Sequence, residues 1–409
     1  MKLSAPRLKR AFPKRRGSAI YKFQDPLGLQ AVSRDDFYSS TSPGVFIEAP
    51  GKQRKFIRRS PAFHDDPDDV QLFSDFKQDI IASAPPFIAT APNVRLVGYR
   101  TLLSEDGFFF NDESIVGTEL KQFLSDLAKQ GTLNEETGLR AVAARDGFAL
   151  KPGKRSVQRI EKPVVLLTSA EPANYGSFLF RILPKLATLE HLAPHRELHY
   201  LVWAEIEVFR EHLRLLGIPA RRILSHNTRD TMYDLERVIV PSIRNDQAFL
   251  DPESLALFAK LRDRVGVAMQ RGTYIYVSRT LQSRSGSERA MLNETQLVEQ
   301  LAKMNFQIVF PEKLTAAEQI RTFSAAELVV GPAGSGMFNA VFCHPSTKLI
   351  DIESEPHWIH AHRSLFASCG LQYGIFVGSA VDRDYTFHHK PWTVNIPALV
   401  ARIKAFLKT

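Results

Sequence analysis

Three glycines interrupt the segment 329–339, which reads V-V-G-P-A-G-S-G-M-F-N. The segment follows a short apolar run and precedes an apolar-periodic stretch, so we expect it to join a buried strand to a helix. Gly331, Gly334 and Gly336 would let backbone amides approach an anion closely, and the helix N-terminus would add partial positive charge. The pattern favours a diphosphate ligand. A tight turn without a ligand, with Ser335 as a helix cap, is the alternative.

The order of these glycines separates the segment from two better-known nucleotide motifs. Gly-x-x-Gly-x-Gly differs from the dinucleotide fingerprint Gly-x-Gly-x-x-Gly, and the segment follows the third predicted strand of its half rather than the first. The lysine of a Walker loop is also absent from it. A nucleoside diphosphate is therefore favoured over NAD or ATP chemistry.

A second candidate is the arginine of Tyr-Val-Ser-Arg, residues 276–279. Ligands of open parallel sheets bind outside the carboxyl ends of strands, and the planar guanidinium of Arg279 suits phosphate. Arg289 follows in a serine-rich loop, before Asn293 and Glu294 open a predicted helix. In the alternative reading, Arg279 pairs with a surface carboxylate and Asn293 is only a helix cap.

Glu353 directly follows the predicted strand 349–352 and is expected at the same edge of the sheet. A carboxylate there can accept two hydrogen bonds from a ribose diol. A plain acid flanking a helix is the alternative.

Metal binding is not expected from the histidines of the second half. His357, His360 and His362 stand close together, and His388 and His389 are neighbours. No acidic or cysteine partner stands at metal-ligand spacing from them. We predict no metal site.

In the first half, the segment 169–178 reads S-A-E-P-A-N-Y-G-S-F and lies between a predicted strand and a predicted helix. Polar side chains in such a loop, Asn174, Tyr175 and Ser177 among them, would face the opposite half across a cleft. Ordinary loop and capping roles are the alternative.

The elements that must position these residues alternate between strands and helices from Pro163 onward, which predicts parallel sheets covered on both faces. Before them, short alternating runs in 94–116, broken at 105–107 and 111–112, predict β-hairpins near the N-terminus. We divide the chain into a basic, irregular extension (1–70), an acceptor-side domain (71–248), a nucleotide-sugar domain (249–378) and a closing segment (379–409).

Strands and helices of the second half can be placed individually. The expected helices and strands are a helix from Pro252 capped by Asp251, strand 274–277, helix 294–304, strand 307–310, a helix after the capping box of Thr315 and Glu318, strand 328–330, a helix after the glycine-rich segment, strand 349–352, helix 358–369, strand 373–377 and helix 396–407.

Composition fits a globular protein of two domains. The chain has 409 residues, of which 44% are hydrophobic and 24% charged. It has two cysteines, no apolar run of the roughly 18 residues that a membrane span needs, and no secretory pattern at its start. We therefore expect a cytoplasmic location.

The net charge of +9 is concentrated near the N-terminus. Seven basic residues and no acid occur in the first sixteen positions, and a second basic run lies in 52–59. Such clusters can bind anionic lipid head groups, which would place the protein peripherally on the inner membrane face. A solvated tail is the alternative. No nucleic-acid motif accompanies the charge, so we expect no nucleic-acid partner.

Four blocks in this order resemble glycosyltransferase family 61. They are an Asn-Tyr-x-x-Phe segment running into a Leu-Pro helix (174–186), Tyr-x-Ser-Arg with a downstream Arg-x-x-x-Asn-Glu (276–294), Glu-Gln-Ile (318–320), and the glycine-rich loop followed by Asn339 and Phe342. The resemblance covers about 94–377.

The resemblance implies a GT-B-like fold, in which two Rossmann-like domains with parallel sheets face a central cleft. It implies an inverting, metal-independent hexosyl- or pentosyltransferase without a cofactor, with a UDP-sugar as the expected donor and a glycan or glycolipid as the acceptor. Its setting would be cell-surface polysaccharide biosynthesis, such as capsule formation. The residues that match the family's donor-side pattern are Arg279, Arg289, Asn293, Glu294, Gly334, Ser335 and Asn339.

Two positions depart from the family pattern: Ser177 and Ala333 stand where the family often has histidine. The catalytic base is therefore sought among carboxylates. We choose Glu171, in the loop expected to face the cleft, with Asp246 and Asp251 near the hinge as rivals. A catalytically inactive binding scaffold of the same fold is the second hypothesis. An unrelated nucleotide-dependent enzyme, such as a dehydrogenase, is the third.

Overall fold

A computed structural model describes most of the chain between residues 19 and 409. The described ranges are 19–20, 22–23, 26–33, 37, 40–48, 52–68, 76–104, 108–110, 117–134, 138–144, 147–152, 156–169, 171–190, 198–203, 205–244, 248–266, 272–281, 289–354, 356–380 and 390–409.

Up to residue 241, the described chain is built mainly of strands. The strands are β1 (Ala19–Ile20), β2 (Lys22–Phe23), β3 (Gln30–Ala31), β4 (Gly44–Ile47), β5 (Arg54–Arg58), β6 (Phe63–Asp65), β7 (Asp79–Ser83), β8 (Phe87–Val97), β9 (Thr101–Leu103), β10 (Phe108–Phe110), β11 (Leu139–Ala144), β12 (Gly147–Pro152), β13 (Ser156–Ile160), β14 (Val164–Leu167), β15 (His199–Trp203), β16 (Ile223–His226) and β17 (Thr231–Pro241). The helices are α1 (Gly117–Gln130), α2 (Tyr175–Ser177), α3 (Lys185–Leu189) and α4 (Glu207–Leu215), with a π-helix at Phe178–Ile182 and 3₁₀ turns at Pro26–Gly28 and Ala220–Arg222.

Eleven of the described strands form one mixed sheet, with the main order β16-β15-β14-β17-β8-β9-β10-β2. The strands β14, β15 and β16 run parallel, and β14 is also parallel to β17. The strands β8, β9 and β10 are joined antiparallel, which confirms the predicted hairpins. The breaks predicted at 105–107 and 111–112 lie outside the described residues.

The remainder of the chain carries a second sheet. Its elements are α5 (Pro252–Val265), β18 (Thr273–Val277), α6 (Glu294–Ala302), β19 (Phe306–Val309), a 3₁₀ turn (Pro311–Lys313), α7 (Ala316–Ser324), β20 (Ala326–Pro332), a 3₁₀ helix (Ser335–Phe342), β21 (Lys348–Glu353), α8 (Pro356–Ser368), β22 (Gln372–Val377), β23 (Ser379–Ala380), β24 (Trp392–Thr393) and α9 (Ile396–Leu407). Six described strands pair in parallel in the order β19-β18-β20-β21-β22-β6.

Local capping signals place the helices of this half as predicted. The Asp251 side chain accepts from the Ser254 amide at 2.9 Å, with Pro252 in the first turn of α5. Thr315 and Glu318 form the expected reciprocal capping box at the start of α7. Each signal satisfies amides that a helix start leaves without intrahelical partners.

Two expectations are corrected. The stretch after the glycine-rich loop is a 3₁₀ helix rather than an α-helix, with Gly334 at its N-cap and no side-chain capping bond there. Its dipole therefore contributes less to anion binding than an α-helix would. The segment 1–70, expected to be irregular, supplies the short strands β1–β6, of which β6 extends the second sheet. Strands of two to five residues are too short to show a period.

A single cluster of buried apolar side chains connects the two halves. It contains Val165 and Leu167 of the first sheet, Phe178 of the π-helix, and Ile275 and Val329 of the second sheet. Separate clusters cover the outer faces of the two sheets, and α9 closes the outer face of the second. The halves are therefore held together by packing.

Two buried histidines make stability dependent on pH. Burial lowers the pKa of His226 to about 3 and that of His212 to about 4, against an ordinary value of 6.5. Both rings are neutral in the folded chain near pH 5, whereas in the unfolded chain they gain a proton below their ordinary pKa. Each histidine should therefore cost about 2 kcal/mol of unfolding free energy between about pH 7 and about pH 5.

Urea unfolding of wild type and His226→Phe at both pH values measures this effect. We expect the loss of stability on acidification to be smaller in the variant by about 2 kcal/mol. An equal loss in both proteins would show that His226 is not buried in its neutral form.

None of the helices in the described part of the chain combines the length and apolar character that a membrane crossing requires.

Candidate functional site

A cavity of about 480 Å³ opens where the two halves meet. The first half contributes Tyr175 and residues around the start of α4, at 205–208 and 211. The second half contributes the end of β18 at 277–279, the 3₁₀ turn and its neighbours at 311–315 and 319, and the glycine-rich loop at 332 and 334–336. The cavity therefore has one wall from each half, and the predicted phosphate-binding segments form the second wall.

Arg279 is the principal cation of this second wall. Its backbone amide donates to Glu294 Oε1 at 2.7 Å, and Nη1 donates to the Ala333 carbonyl at 3.1 Å. Nε is buried and has no hydrogen-bond partner among the described residues. Burial and the nearby charge of Arg289 lower the pKa of Arg279 to about 10, so the group stays cationic at neutral pH. A half-buried cation whose buried Nε has no partner among the described residues is suited to an anionic ligand.

The Glu294 carboxylate accepts hydrogen bonds from residues at the carboxyl end of β18. One carboxylate oxygen accepts from the Arg279 amide at 2.7 Å, from the Ser278 hydroxyl at 3.0 Å and from the Tyr276 hydroxyl at 3.2 Å. The side chain is buried, and burial raises its pKa. The structure thus places this predicted donor-binding residue where it positions Arg279.

Asn293 lies beside it and is also occupied by the protein. Its side-chain amide donates to the Val394 carbonyl at 2.7 Å, and its oxygen accepts from the Val394 amide at 3.1 Å. These two bonds attach the start of α6 to the segment before α9. The side chain acts here as a connection between elements, and it forms no helix-capping bond.

Two glycines of the loop, Gly331 and Gly334, are required by close packing of the protein itself, whereas Gly336 leaves more room. A Cβ at Gly331 would lie 2.7 Å from Met337 Sδ and 2.9 Å from Val277 Cβ. A Cβ at Gly334 would overlap Nη1 of Arg279. A Cβ at Gly336 would meet Val277 Cγ1 at 3.1 Å. Gly334 therefore makes room for the guanidinium to lie across the loop.

Gly334→Ala should displace the Arg279 guanidinium and weaken donor binding at least ~10-fold, because each charge-assisted hydrogen bond contributes about 1.5–3 kcal/mol. The matched control is Gly336→Ala, whose Cβ faces Val277 and Pro311 instead of the arginine. Titration calorimetry with a nucleoside diphosphate measures the affinity of the two variants. Equal losses in both variants would mean that the loop responds to any added methyl group.

The predicted acceptor-side residues contact the glycine-rich loop directly. The Ser335 hydroxyl donates to Asn174 Oδ1 at 3.0 Å, and the same oxygen accepts from the Ser177 amide at 3.1 Å, which caps α2. The Tyr175 hydroxyl donates to Asn339 Oδ1 at 2.7 Å. Residues of the two sequence motifs therefore lie together, but their polar side chains mainly form hydrogen bonds with each other.

These contacts have consequences for what each residue can do. Asn339 is fully buried, and its amide nitrogen donates to the Gly336 carbonyl at 3.1 Å. Burial raises the pKa of Tyr175 far above its ordinary value, so its hydroxyl stays a donor. Ser177 is buried and does not line the cavity.

A narrow crevice adjoins Arg279 on the side away from α4. It is lined by Arg279, Arg289, Ala333, Ile352, Glu353, Ser354 and Trp392. The predicted residues Arg289 and Glu353 therefore lie in the same crevice as Arg279. Two arginines and a buried carboxylate thus meet beside the glycine-rich loop.

Asp351, Glu353 and His362 form a buried cluster that the sequence did not predict. His362 Nδ1 lies 2.8 Å from Asp351 Oδ2 and 3.7 Å from Glu353 Oε1. One ligand atom from each residue lies within 4.8 Å of the others, so this set could hold a divalent cation. The acids come from β21 and the imidazole from α8, which is why spacing along the chain gave no signal. Among the other histidines singled out, the side chain of His357 and residues 388–389 lie outside the described part.

Glu171, the base chosen from the sequence, does not line the cavity. Its carboxylate lies 3.8 Å from the Arg181 guanidinium, and half of the side chain is exposed. Of the rivals, Asp246 lies outside the described residues. Asp251 is buried and bound to Arg244 at 2.8 Å. Neither Glu171 nor Asp251 lines the cavity.

Four other carboxylates line the cavity, and they differ in their partners. Glu207 is held by Arg210 and Arg214, which lower its pKa. Glu211 accepts from the Ala316 amide at 2.7 Å. Glu312 lies in the second half, close enough to Arg279 for their charges to interact.

Glu205 is the fourth and lies in the first half, between β15 and α4. It is exposed to the cavity, and within the described residues its carboxylate has no hydrogen bond or ion pair. Among the carboxylates of the first wall, it is therefore the one whose oxygens no described residue occupies. No motif marks this position, so sequence reasoning missed it.

Residues 175–350 match the family model described as Glycosyltransferase 61. The match begins at Tyr175 of the cavity and includes β18, the glycine-rich loop and the first half of β21. No curated protein matches the chain.

Proposed function

We propose that the chain is an inverting glycosyltransferase that moves a sugar from a nucleotide-sugar donor to a glycan or glycolipid acceptor, because residues 175–350 match the family model described as Glycosyltransferase 61. The observation that carries this proposal is the cavity itself. On its second wall stands Arg279, whose Nε is buried without a partner among the described residues; on its first wall stands the available carboxylate of Glu205. A leaving diphosphate and a nucleophilic hydroxyl need these two opposed groups.

The donor would bind the second half. Its diphosphate would contact Arg279 and Arg289 beside the glycine-rich loop. Glu353 is buried, so the narrow crevice would have to widen for its carboxylate to accept hydrogen bonds from the ribose. A UDP-sugar is the expected donor. We further propose a GT-B-like arrangement, with Rossmann-like domains at 71–248 and 249–378 facing the cavity.

In the transfer step, Glu205 would act as the general base. The acceptor oxygen forms a bond to the anomeric carbon while the bond from that carbon to the diphosphate oxygen breaks. The acceptor proton passes to the Glu205 carboxylate, and the bond electrons leave with the diphosphate. Arg279 stabilises the negative charge that develops there. Because the base and the diphosphate stand on opposite walls, the anomeric configuration inverts.

No cofactor and no metal are needed for this scheme, since arginines supply the positive charge. The cluster of Asp351, Glu353 and His362 is the place where a divalent cation would bind if one took part. It adjoins the donor crevice through Glu353. Activity that survives a chelator would support the metal-independent route.

The setting we propose is cell-surface polysaccharide biosynthesis at the cytoplasmic face of a membrane. The second candidate function is a catalytically inactive scaffold that binds a nucleotide or glycan. Ser177 and Ala333 favour that candidate, because the resemblance to glycosyltransferase family 61 implies a histidine that neither position has.

Release of nucleoside diphosphate from a panel of nucleotide sugars tests the two candidates. The assay is run with and without a mixed glycan acceptor, and with either a chelator or manganese. Release from one donor, increased by acceptor, would support the transferase. Nucleotide binding without release from any donor would support the scaffold.

A further inference from the structure

The two-stranded ribbon of β5 and β7 exposes an apolar pair. The strands are antiparallel, and Ile57 of β5 lies directly opposite Ile80 of β7. Their exposed fractions are 57% and 68%, so both side chains are largely open to solvent. Cross-strand neighbours on one face touch each other, so the pair forms a single apolar patch.

Cations surround this patch. The outward positions of the ribbon alternate with buried ones, and they are Gln53, Lys55, Ile57 and Arg59 on one strand and Gln78, Ile80, Ala82 and Ala84 on the other. None of these eight described positions is acidic. Lys52 and Lys77 are also exposed, just before β5 and β7 respectively, and the antiparallel pairing places them at opposite ends of the ribbon.

The inner face of the ribbon is firmly attached to the second half. Phe56 stacks on Phe249 with ring centroids 5.3 Å apart. Arg58 pairs with Asp79 and donates to the Ser364 hydroxyl at 2.8 Å. Arg54 pairs with Asp251. The acids and the arginines of the inner face thus neutralise each other, and the uncompensated cations lie outside.

We propose that this outer face, comprising Lys55, Ile57, Arg59 and Ile80 with the adjoining Lys52 and Lys77, docks on an anionic lipid surface. Exposed lysine and arginine side chains attract anionic head groups, and aliphatic side chains between them enter the boundary with the acyl chains. Because the inner face is packed against the second half, docking should order few further residues and lose little entropy. It carries no aromatic side chain on which nucleic-acid bases could stack. The docking does not depend on the proposed sugar transfer.

Co-sedimentation of the full chain with vesicles tests the proposal. The vesicles are phosphatidylcholine alone, or phosphatidylcholine with phosphatidylglycerol. Wild type should bind only the anionic vesicles, and added salt should weaken the binding. The double variants Lys55→Ser/Arg59→Ser and Ile57→Ser/Ile80→Ser should each bind at least ~10-fold more weakly, the first through lost charge and the second through lost insertion.

Matched controls separate the ribbon from other surfaces. Val157→Ser removes an exposed aliphatic side chain of another strand, and Lys303→Ser/Lys404→Ser removes two exposed cations of the second half. Both should bind as wild type does, and unchanged thermal melting should show that all variants fold. Absence of wild-type binding, or equal binding by the ribbon variants and wild type, would overturn the proposal. The latter result would assign membrane attachment to another part of the chain, such as the basic first sixteen residues.

Discussion

Arg279→Ala is expected to abolish measurable donor binding. The side chain supplies a buried cationic donor that no described residue satisfies, and it stands between the cavity and the crevice that holds Arg289 and Glu353. Losing two charge-assisted hydrogen bonds to a diphosphate should cost about 3 kcal/mol or more, which is an affinity loss of ~100-fold or more. Titration calorimetry with the nucleoside diphosphate measures it.

Two further variants make that result specific. Arg279→Lys keeps the charge but loses the planar fork, so it should recover only part of the affinity. Arg159→Ala removes a half-exposed arginine of the first sheet and should change nothing. The Arg279 variants lose the bond to the Ala333 carbonyl, so their melting temperatures must be compared as well. Donor affinity equal to wild type in Arg279→Ala would remove this residue from the site.

Glu205→Gln is expected to remove turnover while leaving donor binding intact. A general base contributes about 10²–10⁴-fold to rate, and glutamine of the same shape cannot accept the proton. We therefore expect kcat to fall by ~10³-fold, with the affinity for the nucleoside diphosphate unchanged. Steady-state kinetics and calorimetry on the same preparation separate the two quantities.

Glu171→Gln is the matched control for this variant. Its carboxylate belongs to the same half but lies outside the cavity lining and close to Arg181. We expect nearly wild-type turnover from it. If Glu171→Gln loses turnover and Glu205→Gln does not, the base is the residue first chosen from the sequence, and the loop around it must move toward the acceptor.

Most elements of the second half could be predicted because their signals are local. An acid before a proline starts α5, a capping box starts α7, and short apolar runs mark the parallel strands. The strand β6 could not be predicted, since Phe63–Asp65 is extended only because the edge of β22 is available to it. The 3₁₀ form of 335–342 likewise depends on packing, with Met337, Phe338 and Phe342 buried in the shared core.

The sequence singled out several residues that line the cavity and the crevice, and their binding roles stay predictions. The position of Arg279 beside the glycine-rich loop could be predicted from the sequence, because both follow parallel strands, and both line the cavity. Motif spacing could not reveal that Glu294 supports Arg279 or that Asn174 binds Ser335, since those contacts depend on side-chain direction. Glu205 gave no signal, because an isolated glutamate near a helix start is common.

The continuous core between the halves bears on how substrates would enter. Side chains of both sheets pack into one apolar cluster, so separating the halves would expose buried apolar surface. We therefore infer that the cavity is largely formed before the donor binds.

The most direct test of the central claim is a thermal shift of the purified protein with a panel of nucleoside diphosphates and their sugars. A ligand that binds only the folded chain stabilises it by about 2.7 kcal/mol at a hundredfold excess over its Kd. We predict a clear rise in melting temperature with one nucleotide, expected to be UDP, and no rise in Arg279→Ala. No shift with any nucleotide, with or without a divalent metal, would contradict a donor site in this cavity.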